Sequence, residues 1–304
     1  MITDEPLIGL DLGGTKIAGA VVLNGKILYK QIVPTPQDSA ASVVNAMLEL
    51  IQELLEFSPD TKLIGVGTPG SVDHQNGIVR FAANLPGFIN LPLQDMLSKR
   101  LNKTVTLEND AKAAAIAEHV YGAAQNANSS MFITISTGIG GAIVQNNRIW
   151  YGAKGIAGEI GHLKTQTASD QFSAFEHLAS GTAIARDAST VFKRTMQTKE
   201  VFELAKSGNQ SALKIIELAA LRIGHLIADL QLIVDPEVFV LGGGVSQAGS
   251  FFLERIAIAA NNHATDFAQV CIRQAALGTD AGMIGAAYLA EQHAHDSQLL
   301  QSFP

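Results

Sequence analysis

The chain has 304 residues, of which 47% are hydrophobic and 16% are charged, and its formal net charge is -7 at pH 7. This apolar content excludes a disordered or collagen-like chain, and the length favours about two domains of roughly 150 residues each. An acidic chain without a basic run is a poor partner for nucleic acid or an anionic membrane, so we expect a small-molecule ligand. The single cysteine, Cys271, excludes an internal disulfide and is typical of a cytoplasmic protein.

Two segments of the chain repeat one pattern. Each has an apolar strand, a polar residue, a glycine-rich turn and two further strands, and the copies align without gaps from Gly19 and Gly141 onward. Asn24-Gly25 and Asn146-Asn147 follow at equivalent places, and both dipeptides suit the positive φ angles of a two-residue hairpin. The repeat predicts two related α/β domains; the alternative is a chance likeness between two β-meanders. The segments are IGLDLGGTKIAGAVVLNGKIL from Ile8 and FITISTGIGGAIVQNNRIW from Phe132.

Helices are predicted where apolar residues recur with a period of 3.6, and Ser39 is the expected N-cap of the first. A small-polar stretch at 123–130 indicates a boundary between domains at 1–123 and 124–304, with a C-terminal helix at about 281–294 that can pack back on the first domain. The longest stretch without charge, 120–147, is too polar to span a membrane. The predicted helices are 39–57, 110–121, 173–194, 210–234 and 281–293, and the predicted strands are 63–66, 105–108 and 238–241.

Two glycine-rich turns are candidates for phosphate binding. Their bare N–H groups let a phosphate approach without a Cβ in the way. In the first turn Asp11 adds a ligand for hydrated Mg²⁺, and Thr15 and Lys16 add a hydroxyl and an ammonium. Each turn leads into a strand, so neither is a Walker loop or a dinucleotide fingerprint, and a plain hairpin or bulge is the alternative. The other residues concerned are Gly13, Gly14, Thr137 and Gly138.

A third glycine run, Gly242-Gly243-Gly244, lies between a predicted buried strand and a helix expected to start near Gln247. Successive glycines allow a flat group such as an adenine or a ribose to pack against the backbone. The alternative is an ordinary strand-to-helix turn.

Asn109 and Asp110 end a predicted strand and precede an alanine-rich helix. Asp110 fits the N-cap position of that helix. A carboxylate at a strand end can also accept a proton from a substrate hydroxyl, with Asn109 beside it to bind another hydroxyl. The two roles are compatible.

Glu159 and His162 lie three residues apart among glycines, and Glu176 follows on the next predicted helix. Carboxylates and neutral imidazoles accept hydrogen bonds from sugar hydroxyls. A capped turn and a solvated helix face are the alternatives.

Seven motifs, in order from Ile8 to about Ala290, resemble those of the bacterial ROK (repressor, open reading frame, kinase) family of sugar kinases. The family implies an α/β, two-lobed fold of the actin/hexokinase type, with ribonuclease H-like sheets and a cleft between duplicated domains. It also implies phosphorylation of a hexose or an amino sugar by ATP with Mg²⁺, in a protein that is commonly a homodimer. The motifs are DLGGTK from Asp11, GTPG from Gly67, NLPGF from Asn84, ENDA from Glu108, STGIGGA from Ser136, GEIGH from Gly158 and LGGGV from Leu241.

The resemblance assigns roles to individual residues. By resemblance Asp110 is the general base, Asp11 serves the Mg²⁺, and Gly243 with Gly244 lies at the adenosine. The phosphates are expected at Gly13, Gly14, Thr15, Lys16, Thr137 and Gly138. The sugar is expected at Gly70, Asn84, Asn109, Asp110, Glu159, His162 and Glu176.

The segment NLPGF-INLPL from Asn84 resembles one that is common in glucose-phosphorylating members, so glucose is the expected acceptor. N-acetylmannosamine, fructose and mannose kinases share much of this frame, and related glucokinases use inorganic polyphosphate, so those alternatives stay open. Repressors of the family add an N-terminal DNA-binding domain, for which a DLGGT motif at residue 11 leaves no room. A non-catalytic sugar sensor is the alternative from a different class of protein.

Many members of the family bind zinc through the histidine of GEIGH and three cysteines. Here the cysteine positions correspond to Thr167, Ser169 and Ala174, which are poor zinc ligands. No structural zinc is therefore expected. The loop before Glu176 would then be held by packing, with Phe172 and Phe175 as candidate anchors.

Overall fold

The computed structural model describes residues 5–166 and 170–301. The chain forms two compact units, one from Met1–Tyr121 together with Thr279–Pro304 and the other from Gly122–Gly278. Within the described residues no helix has the length and apolar character needed to cross a membrane.

Groups of strands and groups of helices follow one another along the chain. Up to residue 120 they are β1 (Leu7–Leu12), β2 (Lys16–Leu23), β3 (Lys26–Pro34), α1 (Ala40–Phe57), β4 (Leu63–Thr68), β5 (Ser71–Asp73), β6 (Ile78–Phe81), β7 (Ile89–Leu91), α2 (Leu93–Leu101), β8 (Thr104–Asn109) and α3 (Asp110–Val120). From residue 129 they are β9 (Ser129–Ile135), β10 (Ile139–Gln145), β11 (Arg148–Ile149), β12 (Lys164–Gln166), β13 (Phe172–Ala174), α4 (Glu176–Ala179), α5 (Gly181–Phe192), α6 (Thr198–Lys206), α7 (Gln210–Val234), β14 (Val238–Gly242), α8 (Ser250–His263), β15 (Ile272–Gln274) and α9 (Ala281–Gln301).

The main sheets of the two units share one topology. Their strand orders are β3-β2-β1-β4-β8 and β11-β10-β9-β14-β15. In each sheet the first three strands pair antiparallel, and the parallel pairs β1-β4-β8 and β9-β14-β15 follow. The turn residues Asn24, Gly25, Asn146 and Asn147 all have positive φ angles, as the hairpin prediction requires. The internal repeat of the sequence is therefore a repeat of structure.

Helices α1 and α9 cover opposite faces of the first sheet. Gly9 and Gly65 are register partners on β1 and β4, and a Cβ on either would overlap the α9 backbone. Gly19 on β2 faces the other way, where a Cβ would come 2.8 Å from Leu54 of α1. Side chains alternate between the two faces of a sheet, so Gly9 and Gly65 lie on the face that α9 covers. Because neither has a side chain, α9 can approach this face closely.

The core of the second unit lies between its sheet and helices α7 and α8. Phe239 and Leu241 of β14 are buried together with Ile227 of α7 and Phe252 of α8. Continuous burial along β14 fits a strand with parallel neighbours on both sides.

The predicted elements at 39–57, 110–121 and 210–234 are present as α1, α3 and α7, and Ser39 caps α1 by accepting a hydrogen bond from the Ser42 N–H. The prediction of one helix over 173–194 was wrong. That stretch is divided into β13, α4 and α5, because Ser180 has extended backbone and caps α5 through its hydroxyl. The helix expected near Gln247 begins at Ser250, after a 3₁₀ turn at Ser246–Ala248.

Candidate functional site

In the first unit the carboxyl ends of three parallel strands meet. Asp11 of β1 pairs in register with Gly67 of β4, which in turn pairs with Glu108 of β8. Asn109 and Asp110 follow directly. Ligands of open α/β sheets bind beyond the carboxyl ends of the strands, so this edge is where chemistry is expected. The topology brings Asp11 to the same sheet edge as Asn109 and Asp110.

Gly67 of β4 lies between Asp11 of β1 and Glu108 of β8 at this edge. Its Cβ position lies 3.5 Å from the Leu10 carbonyl oxygen and 3.7 Å from the Cα of Asp110. These are ordinary van der Waals distances, so Gly67 lies in close contact with the backbone that carries the two acids.

The first glycine turn is closed by its own backbone. The Gly13 N–H donates to the Lys16 carbonyl at 2.9 Å, and the Thr35 hydroxyl donates to the Gly13 carbonyl at 2.7 Å. Thr15 and Lys16 are exposed. The turn is therefore a fixed strand-to-strand connection with a hydroxyl and an ammonium facing solvent, as a phosphate contact requires.

Asp11 lies at the base of this turn and is half-buried. Burial raises the pKa of the Asp11 carboxyl, and the positive charge of Lys16 opposes that shift. Its carboxylate faces Gly282 of α9, where a Cβ would lie 2.7 Å from Oδ2. A shielded carboxylate beside an ammonium is a hard oxygen donor that suits Mg²⁺.

The Asn84 motif packs directly on the turn. A Cβ on Gly14 would approach Cβ of Asn84 to 3.0 Å and its carbonyl oxygen to 3.2 Å. Asn84 is exposed, so its amide is available to hydroxyls beside the predicted phosphate turn.

Asn109, and not Asp110, caps α3. The Asn109 side-chain oxygen accepts hydrogen bonds from the N–H groups of Ala111 and Lys112, at 3.0 and 3.2 Å. Asp110 is the first residue of the helix, and its Oδ1 accepts from the Ala111 N–H at 2.7 Å. The structure therefore assigns the N-cap to Asn109, whereas the sequence allowed Asp110 to be both the N-cap and a proton acceptor.

Gly70 contacts Asn109 through its backbone carbonyl. The Asn109 amide donates to the Gly70 carbonyl at 3.1 Å. Gly70 has a φ of 88°, and a Cβ there would overlap the Phe81 backbone. The structure therefore brings Gly70, Asn109 and Asp110 together.

In the second unit Glu176 lies between two of the glycine motifs. A Cβ added to Gly138 would come 2.5 Å from Oε2 of Glu176, and one added to Gly161 would come 3.5 Å from its Cβ. The Gly138 carbonyl accepts from the Ser136 N–H at 2.9 Å, which closes the turn. The sequence predicted that a Cβ on Gly138 would meet the phosphate donor; in the structure its first neighbour is the Glu176 carboxylate.

The GEIGH motif is a 3₁₀ turn packed on β10. Gly158 has a φ of 92°, and Cβ atoms on Gly158 and Gly161 would overlap the carbonyls of Gly141 and Ile139. Glu159 precedes this turn, His162 is its last residue, and both are exposed. Backbone packed against backbone therefore fixes where the acid and the imidazole project.

The loop before Glu176 is a β-hairpin of β12 and β13. Phe175 is buried in the core, as predicted, and its N–H donates to the Leu163 carbonyl at 2.9 Å. The prediction for Phe172 was wrong: this side chain is 69% exposed, at the start of β13 where Phe172 pairs with Gln166, the last residue of β12.

Among residues 5–166 and 170–301 no three His, Cys, Asp or Glu residues are grouped to hold a metal ion. Thr167 and Ser169, two of the positions compared with zinc-binding cysteines, lie outside the described residues. The absence of zinc therefore stays a prediction.

A cavity of about 710 Å³ opens in the second unit beside the glycines that follow β14. Gly243 has a φ of 84°, and its Cβ would come 2.5 Å from the Ile135 carbonyl, whereas a Cβ on Gly244 would meet nothing within 4 Å. Gly244 and Thr137 both line the cavity. Two of the predicted nucleotide residues are thus walls of one cavity.

The sequence analysis missed the far wall of this cavity. It is formed by the first turns of α5, the loop after that helix and α6, and neither helix was recognised as a separate element. The only signal was the pair Val201-Phe202 with Ala205, which marks the buried face of a short amphipathic helix. The lining residues from this wall include Thr182, Met196, Gln197, Thr198, Phe202 and Lys206.

Comparison with known proteins gives one consistent family. The sequence model of the ROK family matches residues 7–293. The chain belongs to the ROK family.

Several relatives in this family are sugar kinases. A glucokinase of Thermotoga maritima is 35% identical over 80% of this chain and 83% of its own length. An N-acetylmannosamine kinase of Haemophilus influenzae is 35% identical over 92% of this chain and 94% of its own length. A ROK glucokinase from Streptomyces griseus, solved with glucose and AMPPNP, superposes with a TM-score of 0.82 at 32% identity, over 94% of this chain and 99% of that one.

The ROK match and these likenesses show an actin/hexokinase-like α/β fold and a sugar kinase. The duplicated sheet topology and the glycine turns after β1 and β9 are the parts of that fold described above. The expected class of enzyme is therefore confirmed.

Proposed function

We propose that the protein transfers the γ-phosphoryl group of ATP to O6 of glucose, with Asp110 as the general base. The observation that carries this proposal is the geometry of Asn109 and Asp110. Asn109 supplies the N-cap of α3, and Asp110 begins that helix with its Oδ1 oriented by the Ala111 N–H. Its place beyond β8, at the edge shared with Asp11, is that of a residue acting on a ligand.

Asp110 accepts the proton of the sugar hydroxyl as that oxygen attacks the γ-phosphorus. The hydrogen bond from the Ala111 N–H, at the start of α3, orients this carboxylate. Asn84 and Asn109 in the first unit bind neighbouring hydroxyls. Glu159, His162 and Glu176 in the second unit supply further acceptors for hydroxyls.

Phosphate binding falls to the two glycine turns. In the first unit Gly13 closes the turn through its bond to the Lys16 carbonyl, and the Gly14 N–H, Thr15 and Lys16 contact the phosphates. In the second unit the backbone N–H groups of Thr137 and Gly138 do the same. Asp11 would hold Mg²⁺, directly or through water. When bound, the ion supplies positive charge that stabilises the phosphates of the donor.

The cavity beside Gly244 favours ATP over polyphosphate. Its walls include Met196, Phe202 and Val245, apolar side chains that suit the flat base of a nucleotide. A polyphosphate chain has no group that would use such a surface.

Glucose is preferred because the NLPGF-INLPL segment packs Asn84 on the phosphate turn and resembles that of glucose-phosphorylating members. N-acetylmannosamine is the second candidate, because a kinase of that name is as identical to this chain as the glucokinase is.

The test is a matrix of acceptors and donors with the purified protein. Glucose, mannose, fructose, N-acetylglucosamine, N-acetylmannosamine and galactose are each incubated with ATP or polyphosphate and Mg²⁺, and phosphosugars are identified by mass spectrometry. We expect glucose 6-phosphate from glucose and ATP with the highest kcat/KM. A higher kcat/KM for N-acetylmannosamine than for glucose would show that N-acetylmannosamine is the acceptor. Product formed only with polyphosphate would show that polyphosphate, and not ATP, is the donor.

A further inference from the structure

Helix α4 carries Glu176 but is too short to be stable by itself. It has four residues, Glu176–Ala179, and its N-cap Phe175 makes no side-chain capping bond. Isolated helices of this length do not persist in water, so contacts from outside must hold it. The orientation of the Glu176 carboxylate against Gly138 therefore depends on what holds α4.

Two arginines bind the carbonyl end of this helix. Arg186 of α5 donates from Nη1 to the His177 carbonyl at 2.9 Å. Arg222 of α7 donates from Nη1 to the Leu178 carbonyl at 2.6 Å. These carbonyls have no partner further along such a short helix, and cations at a helix C-terminus are favourable.

One carboxylate organises the two guanidinium groups. Asp187 accepts from Nε and Nη2 of Arg186 at 2.9 and 2.6 Å. Burial lowers the pKa of Arg222, and the charge of Asp187 opposes that shift. An arginine stays charged under these conditions, so α4 meets two fixed cations with planar donor geometry.

We propose that Arg186 and Arg222 are positioning residues for Glu176. Their hydrogen bonds to the α4 carbonyls fix the rotation of this one-turn helix and so keep the Glu176 carboxylate beside Gly138, where it binds the sugar. The inference rests on the proposed function, because it assumes that Glu176 is a sugar ligand.

The main test is Arg222→Met, with Arg222→Lys as the conservative variant. Loss of a charged hydrogen bond that sets the position of a ligand should raise the KM for sugar about tenfold, while the KM for ATP changes less than about twofold. Arg222→Lys keeps one donor and should recover most of the sugar affinity. Arg273→Met is the matched control, since its Nη1 also donates to a backbone carbonyl, that of Ala123, at 2.9 Å.

A double-mutant cycle separates positioning from general stability. If Arg222 acts through Glu176, Arg222→Met should change the sugar KM less than about twofold in a Glu176→Gln background. An equal fold-change in both backgrounds, or equal increases of the sugar and ATP KM, would overturn the proposal. If Arg222→Met does not fold, the exposed Arg186→Met is put through the same cycle.

The proposed function has a separate point of failure. If the wild-type protein phosphorylates sugar and Glu176→Gln leaves the sugar KM unchanged, Glu176 is not a sugar ligand and the inference falls alone. If the wild-type protein phosphorylates no sugar, the proposed function falls first.

Discussion

Asn109 and Asp110 are adjacent residues with different duties. The amide of Asn109 satisfies two N–H groups of α3 and also reaches the Gly70 carbonyl, so it joins the helix to the loop after β4. The Asp110 carboxylate accepts a hydrogen bond from the Ala111 N–H, which orients it at the start of the helix. The sequence identified both residues but could not divide the roles, because either side chain can cap a helix.

Gly243 and Gly244 look alike in the sequence and differ in the structure. Gly243 needs its positive φ and has no room for a Cβ, whereas Gly244 has open space around it. Gly244→Ala should therefore fold normally and raise the KM for ATP about tenfold, because its methyl group would occupy the adenosine contact. Steady-state kinetics with ATP as the varied substrate checks this.

Gly243→Ala is the structural control for that variant. Its Cβ would press on the Ile135 carbonyl, so we expect a lower melting temperature. If Gly244→Ala leaves the ATP KM unchanged while folding normally, the adenosine does not pack on this glycine.

Gly138 shows how far a motif can be interpreted. The motif indicated a bare turn for a phosphate, and the structure adds that the nearest group to its missing Cβ is a carboxylate from α4. That contact joins residues 38 positions apart in the sequence, and the tertiary arrangement that creates it has no local pattern.

At the scale of elements, α4 and α5 show why the long helix was predicted wrongly. Apolar periodicity continues through residues 173–194, but Ser180 prefers to cap a new helix. The break releases the His177 and Leu178 carbonyls to the two arginines. Helices α2 and α6 were also missed; they have nine residues each, too few for periodicity to be distinctive.

The C-terminal end of α3 packs on α9 through aromatic rings. Tyr121 and Tyr288 form an edge-on pair with centroids 6.0 Å apart, and a Cβ on Gly25 would come 2.5 Å from the Tyr121 ring. Burial, with the negative charge of Glu291, raises the pKa of Tyr121 to about 12. Between about pH 10 and 12 the folded protein therefore keeps this phenol proton, whereas an unfolded chain, with a tyrosine pKa of about 10, releases it.

This difference predicts a loss of stability in alkali. The contribution of Tyr121 is fully present below about pH 10 and is lost as the pH rises toward 12. The melting temperature of the wild-type protein should fall over this pH range. The melting temperature of Tyr121→Phe should fall less, because phenylalanine has no phenol proton to release. Equal falls in thermal melts of the two proteins would show that Tyr121 is not the group responsible.

For the whole molecule, the duplicated topology was predictable from the sequence. Equivalent turn residues at Asn24-Gly25 and Asn146-Asn147 define equivalent hairpins, and both sheets then add parallel strands on the same side. The role of Gly9 and Gly65 in the packing of α9 was not predictable, because a glycine inside a strand does not indicate which element packs against it. The candidate residues came from local motifs, whereas the cavity wall of α5 and α6 needed the fold.

The account as a whole depends most on Asp110 being the base. Asp110→Asn keeps the shape of the side chain and leaves the Asn109 cap in place, so folding should be unaffected. The measurement is kcat together with glucose affinity by calorimetry and the melting temperature. We predict a fall in kcat of roughly 10² to 10⁴-fold, with glucose affinity within several-fold of wild type. A kcat within threefold of wild type would contradict the account, because Asp110 would then only begin a helix.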